Sequence, residues 1–486
     1  MVTRLSILLA IFAITGPAQT EADFYSIDSF EPREGQTWEI SGLINFDDDR
    51  LMFCTREGYV YIVEKPYGDP KDAVFKEWAF GLSCPLGLYK RGDWIYTAQR
   101  GELTRIKDSS GDGKADVFET VNDFVPISGN YHEYNFGPVA DAEGKLWITT
   151  NKPFGGEPYG RVDFRGWAMR YDPDTGKMET MACGLRSPAG VEASPDGEIF
   201  YTDNQGEWCN ASKLSHIEKN DFHGHPHGIE SAKRPESSVD YPGDVKSGTW
   251  MKDVKEIHPT FKMPAVWLPY KKMGQSPCGM AWDTTDGKFG PYAGQLFVSD
   301  QKQARVMRVY LEKVDGHWQG ACIPFRQGFE CGILRVEFGS DASMFVGMSN
   351  AGWGSLGNRP WGFQRMRWTG KVPVDVHEVH ATADGFEFTF NHPMDSATLE
   401  AIANYKGESY TYKLESRYGG PEDDKAPLEF TATKAAPDGK SVRVTVANLR
   451  AGYVHEVHFE NLKSADGTDL LHKELYYTLV NIPAAE

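Results

Sequence analysis

"RSPAGVEASPDGEIFYTDNQGEW" spans residues 186–208 and shows the pattern that decides the fold. A glycine-containing entry leads into a short apolar run, a polar turn follows at Asp196 and Gly197, and a second apolar run begins at Ile199. Two such runs joined by a tight Asp-Gly turn predict a pair of antiparallel strands. The same pattern begins at five other places in the chain: Ile40, Cys84, Ser128, Ser276 and Cys331.

The six copies recur about every 45–55 residues, which is close to the repeat length of β-propeller blades. We therefore predict an all-β fold in which residues 24–370 form a six-bladed β-propeller. A β-sandwich with accessory segments is the alternative, and it fits the repeat less well. One long gap, at about 220–273, predicts an insertion that rims or caps one face of the propeller.

The pattern changes after residue 373. "GFEFTFNHPMDSATLEAIANYKGESYTYKL" from Gly385 and "KSVRVTVANLRAGYVHEVHFENL" from Lys440 alternate apolar and polar residues at the period of a strand. The stretch "FTFNHPMDSATLEAIANY" resembles the opening of bacterial immunoglobulin-like modules, which act as spacers or docking units. We therefore predict a C-terminal immunoglobulin-like β-sandwich over residues 374–486 that is separable from the propeller.

Composition and charge exclude several classes of partner. Of the 486 residues, 40% are hydrophobic and 13% aromatic, so a large packed core is expected and extended disorder is not. The formal net charge of −18 disfavours nucleic acid and anionic membrane surfaces as partners.

The N-terminus has the features of a secretory signal. Arg4 supplies a positive charge, residues 5–14 form a short apolar core, and residues 16–18 are small enough for cleavage. We predict a signal peptide at 1–22 and a periplasmic or secreted protein without a membrane span. A buried N-terminal helix is the alternative.

The seven cysteines suit an oxidising compartment, although their number is odd. Cys322 and Cys331 flank a short loop and predict one disulfide staple, while the pairing of the other five stays open. The sequence contains no C-x-x-C motif, so it offers neither a c-type haem attachment site nor a zinc knuckle.

"DSSGDGKADVFE", residues 108–119, has the order of a calcium-binding loop. Oxygen-bearing side chains occupy loop positions 1, 3, 5, 9 and 12, and Gly113 stands at position 6, where such a loop turns sharply. The flanking segments are predicted strands, so this is not an EF-hand, and a solvated acidic hairpin is the alternative. The predicted calcium ligands are Asp108, Ser110, Asp112, Asp116 and Glu119.

"FHGHPHG" is a weaker candidate for a metal site. His223, His225 and His227 alternate, so on an extended strand they would share one face and could hold a metal ion. Pro226 and the two glycines favour a turn instead.

His132 and Arg186 form the candidate catalytic pair. His132 follows a Gly-Asn turn and Arg186 opens the next copy, so both are expected where innermost strands begin. In a propeller these positions face the central axis, where the loops of all the blades converge. We predict that His132 is a general base in an axial pocket, and a buried structural histidine is the alternative.

At these residues the chain resembles the glucose/sorbosone dehydrogenase family. The similarity covers roughly residues 35–370 and includes "GLRSPAGVEASPDGEIFYTDNQGEW", "SKLSHIEKNDFHGHP" and "FVSDQKQARVMRV". Within that superfamily the chain is similar to exported propeller proteins of the planctomycete type. The resemblance implies a six-bladed propeller that binds pyrroloquinoline quinone (PQQ) together with calcium.

The resemblance also implies roles for individual residues. It gives His132 the role of general base and Arg186 that of a quinone-facing cation, and Asn151 stands where the family has a carboxylate that orients the histidine. The residues implied in binding the quinone are Arg186, Gln205, Lys302 and Arg335. The loop whose backbone oxygens would hold its calcium falls on Gln205, Gly206 and Glu207, with Gly206 and Glu207 as the implied ligands.

The leading hypothesis is an exported quinone-dependent dehydrogenase that oxidises a carbohydrate hydroxyl. His132 would take the hydroxyl proton, and a separate acceptor would receive the electrons, since the chain has no haem motif. The alternatives are a polysaccharide lyase or hydrolase that uses the same pocket, and a glycan-binding propeller without catalytic activity. The substrate is expected to be a small sugar or a polysaccharide.

Overall fold

The computed structural model describes residues 19–32, 35–123, 125–155 and 162–485, and the protein is all-β, as predicted. The predicted signal peptide at 1–22 lies mostly outside the described residues. Within these ranges no helix has both the length and the apolar composition needed to cross a bilayer.

Helix is a minor component of the described chain. The α-helices are single turns, α1 (Glu21–Phe24), α2 (Val254–Ile257) and α3 (Ser396–Leu399). The 3₁₀ helices are also short and lie at Pro70–Asp72, Ile229–Lys233, Met251–Asp253 and Ile402–Asn404.

The strands up to Trp368 coincide with the region of the predicted repeats. Most are four to six residues long, as expected for the short apolar runs between turns. They are β1 (Tyr25–Phe30), β2 (Ile40–Asn45), β3 (Arg50–Thr55), β4 (Val60–Glu64), β5 (Val74–Ala79), β6 (Tyr89–Arg91), β7 (Trp94–Ala98), β8 (Leu103–Lys107), β9 (Val117–Asn122), β10 (Asn135–Ala140), β11 (Leu146–Thr150), β12 (Trp167–Tyr171), β13 (Met178–Cys183), β14 (Gly190–Ala193), β15 (Ile199–Asp203), β16 (Ser212–Ile217), β17 (Asp221–Phe222), β18 (Thr249–Trp250), β19 (Val266–Leu268), β20 (Pro277–Trp282), β21 (Leu296–Asp300), β22 (Arg305–Val314), β23 (His317–Arg326), β24 (Ile333–Phe338), β25 (Met344–Ser349) and β26 (Trp361–Trp368).

In the described residues these strands form six sheets, each with an antiparallel core of four strands. Four sheets use consecutive strands, namely β2 to β5, β6 to β9, β10 to β13 and β20 to β23. The other two are β14, β15, β16 and β19, and β24, β25, β26 and β1. Each sequence copy supplies the first two strands of one sheet, so the strand pairs predicted from the repeat are confirmed. In the stretch 186–208, for example, β14 pairs with β15.

The first strands of neighbouring sheets approach one another backbone to backbone at the glycine of each copy. A Cβ added to Gly190 would lie 1.9 Å from the carbonyl oxygen of Cys278 in the next sheet. One added to Gly42 would lie 2.8 Å from the Cα of Gly87, and one added to Gly87 would lie 2.4 Å from the carbonyl oxygen of Gly137. Only glycine leaves room for this approach, which explains why the copies share it.

The last sheet takes its outermost strand from the N-terminus of the described chain. β1 pairs antiparallel with β26 from Tyr25 opposite Trp368 to Phe30 opposite Phe363. The two ends of the repeat region are therefore joined by backbone hydrogen bonds. The sequence copies do not include this strand, because it has no partner nearby in sequence.

The predicted insertion lies between β16 and β19. Its strand β17 adds to the edge of the third sheet, parallel to β13. Its strand β18 pairs with a strand of the C-terminal region. The insertion therefore connects the third sheet with the C-terminal region.

The C-terminal region consists of two antiparallel sheets around one apolar cluster that includes Phe386, Phe388 and Tyr477. Its immunoglobulin-like character stays a prediction. One sheet is β27, β28, β33 and β32, and the other contains β29, β31, β34 and β35. The strands are β27 (Val376–Thr382), β28 (Gly385–Phe390), β29 (Tyr405–Thr411), β30 (Lys413–Leu414), β31 (Asp423–Pro427), β32 (Phe430–Ala435), β33 (Ser441–Val446), β34 (Tyr453–Phe459) and β35 (Glu474–Leu479).

Strand pairing joins this region to the repeat region, which the sequence did not predict. β35 pairs with β23, so the fifth sheet of the repeat region continues into the C-terminal region as one sheet of eight strands. β30 also pairs with β18 of the insertion. A repeat pattern in the sequence cannot predict strand pairing between the repeat region and the C-terminal region, because this pairing depends on contacts between distant segments.

The predicted disulfide is also wrong, because all seven cysteines are unpaired. Cys322 and Cys331 are both fully buried and belong to different apolar clusters. The Cys322 thiol donates to the Trp267 carbonyl oxygen at 3.5 Å. The first part of the segment between them, up to Arg326, belongs to β23 and pairs with β22.

A buried ionic group links the two ends of the described chain. Nδ1 of His472 lies 2.8 Å from Oδ2 of Asp375, and Nε2 lies 3.4 Å from Oε1 of Glu21 in α1. Burial alone would lower the pKa of His472, but the two carboxylates outweigh it and raise the pKa to about 9. The imidazolium therefore ties α1 to the C-terminal region at neutral pH.

Gly190→Ala tests the close approach of the first strands. The added methyl group would meet the Cys278 carbonyl, so we expect a loss of ~1–3 kcal/mol or more in the free energy of unfolding, or loss of soluble protein. Gly68→Ala is the control, because its added Cβ meets no atom within 4 Å and should change stability by less than ~0.5 kcal/mol. Urea melts of both variants give the comparison, and equal stabilities would show that the approach is not a constraint.

His472→Gln tests the ionic link. The folded-state pKa of about 9 exceeds the unfolded value, so the stabilisation is complete below about pH 6.5 and is lost as pH rises through 9. We expect the variant to lose ~3–5 kcal/mol at pH 7 and much less at pH 10. Thermal melts across this range measure the difference, with His458→Gln, whose side chain is 40% exposed, as control. A loss that does not change with pH would show that packing, not charge, explains the effect.

Candidate functional site

A cavity of about 270 Å³ opens where the second strands of several sheets end. Four of its lining residues each directly follow such a strand: Arg56 after β3, Asn151 after β11, Asn204 after β15 and Gln301 after β21. Because these strands run in the same sense in neighbouring sheets, their ends bring polar side chains from distant parts of the sequence to one place. His132 and Arg186 line the same cavity, so the structure brings the predicted pair together.

His132 lies in the turn before β10, which begins at Asn135, and not in the strand itself. Its backbone N–H donates to Oδ1 of Asn130 at 3.0 Å, and its Nδ1 lies 3.3 Å from the carbonyl oxygen of Lys152. A carbonyl only accepts, so Nδ1 carries the proton and Nε2 keeps a lone pair. Burial and then the charge of Arg186 lower the pKa of His132 to about 3. The imidazole is therefore neutral at physiological pH.

Arg186 is buried with its guanidinium between two aromatic rings. Its carbon Cζ lies 5.1 Å from the ring centre of Phe154 and 5.2 Å from that of Tyr418. Its nitrogens donate to Oε2 of Glu207 at 3.1 Å and 3.3 Å. The side chain is thus fixed from three directions and presents a constant positive charge to the cavity.

Glu207 neutralises two cations and is not placed as a calcium ligand. Its carboxylate bonds Arg186 and also forms a short ion pair with Lys152. The carbonyl oxygen of Gly206 accepts from the backbone N–H groups of Cys209 at 3.2 Å and Gly419 at 3.0 Å. The Gly206 carbonyl already has two donors and the Glu207 carboxylate already pairs with two cations, so neither of these two oxygens is placed to hold the calcium ion that the resemblance implies.

Asn151 is buried but does not hold His132. Its Nδ2 donates to Oγ of Ser187 at 3.3 Å, and its Oδ1 is buried without a hydrogen-bond partner. The Lys152 carbonyl takes the orienting role that the resemblance placed at Asn151. Asn204 has an equally unpartnered Oδ1, so two amide oxygens at the cavity wall are left for a ligand.

Of the other residues implied in binding a quinone, Gln205 and Arg335 line the cavity and Lys302 does not. Gln205 lines the cavity and donates to the Asn210 carbonyl at 3.0 Å. Arg335 lines it too and donates to the carbonyls of Leu86 at 2.9 Å and Ala189 at 3.0 Å. Lys302 instead donates to the Gly354 carbonyl at 2.8 Å, and its neighbour Gln301 takes the lining position.

Several residues that sequence reasoning missed complete the cavity. Arg56 donates to the Ala351 carbonyl at 2.7 Å and to the Tyr134 hydroxyl at 3.1 Å. Phe154, Trp353 and Tyr418 add aromatic walls. The position after a second strand is a signal that could have found Arg56, whereas Tyr418 comes from the C-terminal region and has no such signal.

A second cavity of about 290 Å³ lies between the first strands of the sheets. Arg335 lines both cavities, and the half-buried carboxyls of Glu192 and Glu337 line only the second. Burial, with Glu192 nearby, raises the pKa of Glu337 to about 8, and burial raises that of Glu192 to about 7. Arg335 therefore separates an aromatic chamber from one lined by protonatable carboxyls.

The predicted calcium loop does not bring its five ligands together. Glu119 lies in β9 opposite Arg105 in β8, and the two form an ion pair at 2.7 Å. Asp108 accepts from the backbone of Gly111 at 2.7 Å and Gly113 at 2.8 Å, while Asp116 accepts from Ser109 at 2.7 Å. Asp112 accepts from the backbone N–H of Lys114, and Ser110 donates to Asp108. The loop is therefore closed by hydrogen bonds from its own amides, and calcium binding at this loop stays a prediction.

Two of the three alternating histidines are buried, and His227 is half-buried. His223 and His225 are 1% and 4% exposed, and burial lowers the pKa of each. Among the described residues, one group of three carboxylate, His or Cys side chains has its ligand atoms within 4.8 Å of one another, and the histidines are not in it. That group is Glu408, Glu422 and Glu456, which Lys272 and Lys425 already neutralise.

Solved structures with similar folds include sugar dehydrogenases and a fungal enzyme. A glucose dehydrogenase-type oxidoreductase from Thermus thermophilus shares 17% identity at a TM-score of 0.52, covering 70% of this chain and 99% of that chain. The PQQ-bound aldose sugar dehydrogenase from Streptomyces coelicolor shares 15% identity at 0.52, covering 71% and 98%. The calcium structure of a Trichoderma reesei carbohydrate-active enzyme of family AA12 shares 12% identity at 0.50, covering 73% and 98%.

At these identities the likeness concerns the fold, which is that of the sugar dehydrogenase propellers. None of the curated proteins has a sequence significantly similar to this chain. Residues 48–317, more than half of the chain, match the family described as "Domain of unknown function (DUF7133)". The chain belongs to this DUF7133 family.

Proposed function

We propose that this chain is an exported, quinone-dependent sugar or alcohol dehydrogenase. In this proposal the six sheets of residues 24–370 are the blades of one six-bladed propeller, residues 374–486 are an immunoglobulin-like sandwich, and the cavity around His132 lies on the axis. One observation carries the proposal. A neutral imidazole with Nδ1 fixed to the Lys152 carbonyl presents a free Nε2 lone pair beside the buried charge of Arg186. This is the arrangement that removal of a hydroxyl proton requires.

The residues at the cavity fit PQQ in their positive charge and their aromatic character. This cofactor is a flat aromatic quinone with three carboxylates, so it needs cations and aromatic walls. Arg56 and Arg335 line the cavity and donate to carbonyl or phenol oxygens, so their positive charges are not cancelled by a bonded carboxylate. Phe154 and Trp353 provide aromatic surface. Arg186, held by Glu207, would face the quinone.

When bound, PQQ would accept the hydride released from the substrate carbon. His132 would take the hydroxyl proton at Nε2, and the Lys152 carbonyl would stabilise the imidazolium through Nδ1–H. Arg186 would stabilise negative charge that develops in the cavity. No step needs a calcium ion at Gly206 and Glu207, because those residues are bonded to cations and amides. Electrons would then leave to a separate acceptor.

Because the pKa of His132 is low in the free protein, its strength as a base depends on the ligand bound beside it. Burial and Arg186 depress the pKa in the free protein. An anionic ligand beside Arg186 and Arg56 would offset this positive charge and raise the pKa toward the working pH. His132 would therefore become an effective base only when the cavity is loaded.

A polysaccharide lyase is the second candidate, and one observation favours it. Arg56 donates to the hydroxyl of Tyr134, whose ring lies 5.7 Å from that of His132. A phenol held by a cation next to an imidazole could move protons at the carbon beside a uronate carboxylate, which Arg335 would bind. This reaction needs no quinone, so PQQ dependence separates the two candidates. A glycan-binding protein without activity would show neither reaction.

The test of the proposed function is binding of PQQ to the purified protein. We expect a PQQ absorption change on titration, and Arg56→Gln should weaken binding about tenfold or more, because a carboxylate loses its cation. Arg50→Gln is the control, since Arg50 pairs with Asp47 on the surface. If neither wild type nor control binds PQQ, the quinone proposal is wrong and the lyase candidate moves ahead.

His132→Asn tests the chemistry apart from binding. The asparagine amide can still donate to the Lys152 carbonyl, but no lone pair replaces Nε2. We expect PQQ binding within about threefold of wild type and dye-linked oxidation of sugars slower by ~10²–10⁴-fold. His458→Asn serves as the matched control. Full activity in His132→Asn would mean that another group is the base.

A further inference from the structure

Exposed aromatic side chains gather at the mouth of the cavity. In the described chain six large aromatic residues are well exposed, and four of them line this one cavity. Single exposed aromatic rings scattered over a surface are normal, whereas a cluster of them at one opening is typical of a binding surface. The four, with their exposed fractions, are Tyr131 (61%), Tyr270 (39%), Trp353 (51%) and Tyr418 (57%).

Resting on the proposed function, we propose that these four residues, the aromatic rim, form a stacking subsite for an oligosaccharide of two or more pyranose units. The C-terminal region completes the rim with Tyr418. The substrate of the dehydrogenase is then a sugar chain whose end enters the cavity. Nothing in the resemblance or the similar structures assigns this subsite.

Tyr418 is fixed in place by backbone contacts between two loops. Tyr418 forms a β-bridge with Glu207, and the N–H of Gly419 donates to the Gly206 carbonyl at 3.0 Å. The N–H of Trp208 donates to the Glu415 carbonyl at 2.9 Å. Because backbone holds the loop, the Tyr418 side chain is free for another role.

The Tyr418 ring is ordered but still accessible. Arg186 lies 5.2 Å from its centre, and Phe154 meets it edge to face at 6.3 Å. More than half of the side chain nevertheless stays exposed. A ring that is held by its neighbours and open to solvent loses little freedom when a ligand stacks on it.

The chemistry of the mouth matches a pyranose ring. The C–H face of a sugar packs on an aromatic face, whereas its hydroxyls need hydrogen-bonding groups. Amides lie beside the aromatic residues, and the Oδ1 atoms of Asn151 and Asn204 are buried without partners. Gln275 and Gln301 add two more amides to the wall. Alternating rings and amides therefore suit a polyhydroxylated ring better than a purely apolar ligand.

The size of the cavity indicates more than one sugar unit. About 270 Å³ is at or below the lower end of the range for small-ligand pockets, so the cofactor and at most one sugar ring would fill it. The exposed rings line the mouth of that volume, and a monosaccharide seated in the interior would leave much of their surface uncovered. Further units of a chain would cover them.

The test measures sugar binding without PQQ, so that it does not depend on turnover. The probes are linear oligosaccharides of glucose, xylose, mannose and N-acetylglucosamine, each with one to six units, followed by tryptophan fluorescence and calorimetry. We expect Kd in at least one series to fall at least tenfold from one unit to three. Tyr418→Ala and Trp353→Ala should each remove most of this gain, measured as the ratio of the Kd for one unit to the Kd for three.

Two controls separate stacking from structure. Tyr418→Phe keeps the ring and should keep the gain, and Phe80→Ala removes an equally exposed ring (57%) outside the cavity and should change nothing. The proposal is overturned if no series gains with length, or if the gain survives both Tyr418→Ala and Trp353→Ala. PQQ binding that persists in either case would leave the dehydrogenase proposal standing, so the two failures are distinguishable.

Discussion

The structure depends on backbone-to-backbone contact between the first strands of neighbouring sheets. Glycine at Gly42, Gly87 and Gly190 removes the Cβ that would hold these strands apart. The sheets therefore converge closely, and the ends of their second strands meet around a small cavity. His132 lies in the wall of this cavity, where its burial and the charge of Arg186 lower its pKa. A steric feature of the repeat thus positions the candidate site.

The buried cations at the cavity depend on one shared carboxylate for their stability. Arg186 and Lys152 are both buried, and either cation alone would be costly to remove from water. Glu207 compensates both, and its loop is held in turn by the C-terminal segment around Gly419. The C-terminal region is therefore part of the framework of the site and not merely a spacer. Its strand β35 also continues a sheet of the repeat region.

Local pattern was enough to predict the strand pairs and the meeting of His132 with Arg186, because both follow from where a repeated unit begins. Local pattern was not enough to predict which residues come together to bind a ligand. The spacing of Asp108 and Glu119 suits calcium, yet strand register places Glu119 opposite Arg105, and register is a property of two strands. Tyr418 could not be predicted for the same reason, since its contact with the loop of Glu207 joins distant segments.

At the end of each of three second strands, two successive residues have different roles. The last strand residue supports the fold, and the residue after it faces the cavity. Asp203 and Asp300 are the last residues of β15 and β21, and each accepts hydrogen bonds from the backbone of the segment that leads into its own sheet. One residue later, Asn204 and Gln301 face the cavity. In the third sheet Thr150 ends the strand and Asn151 faces the cavity in the same way. Asn151 is thus the counterpart of ligand-facing amides and not of a structural carboxylate, so its amide is what the position requires if it contacts a bound molecule.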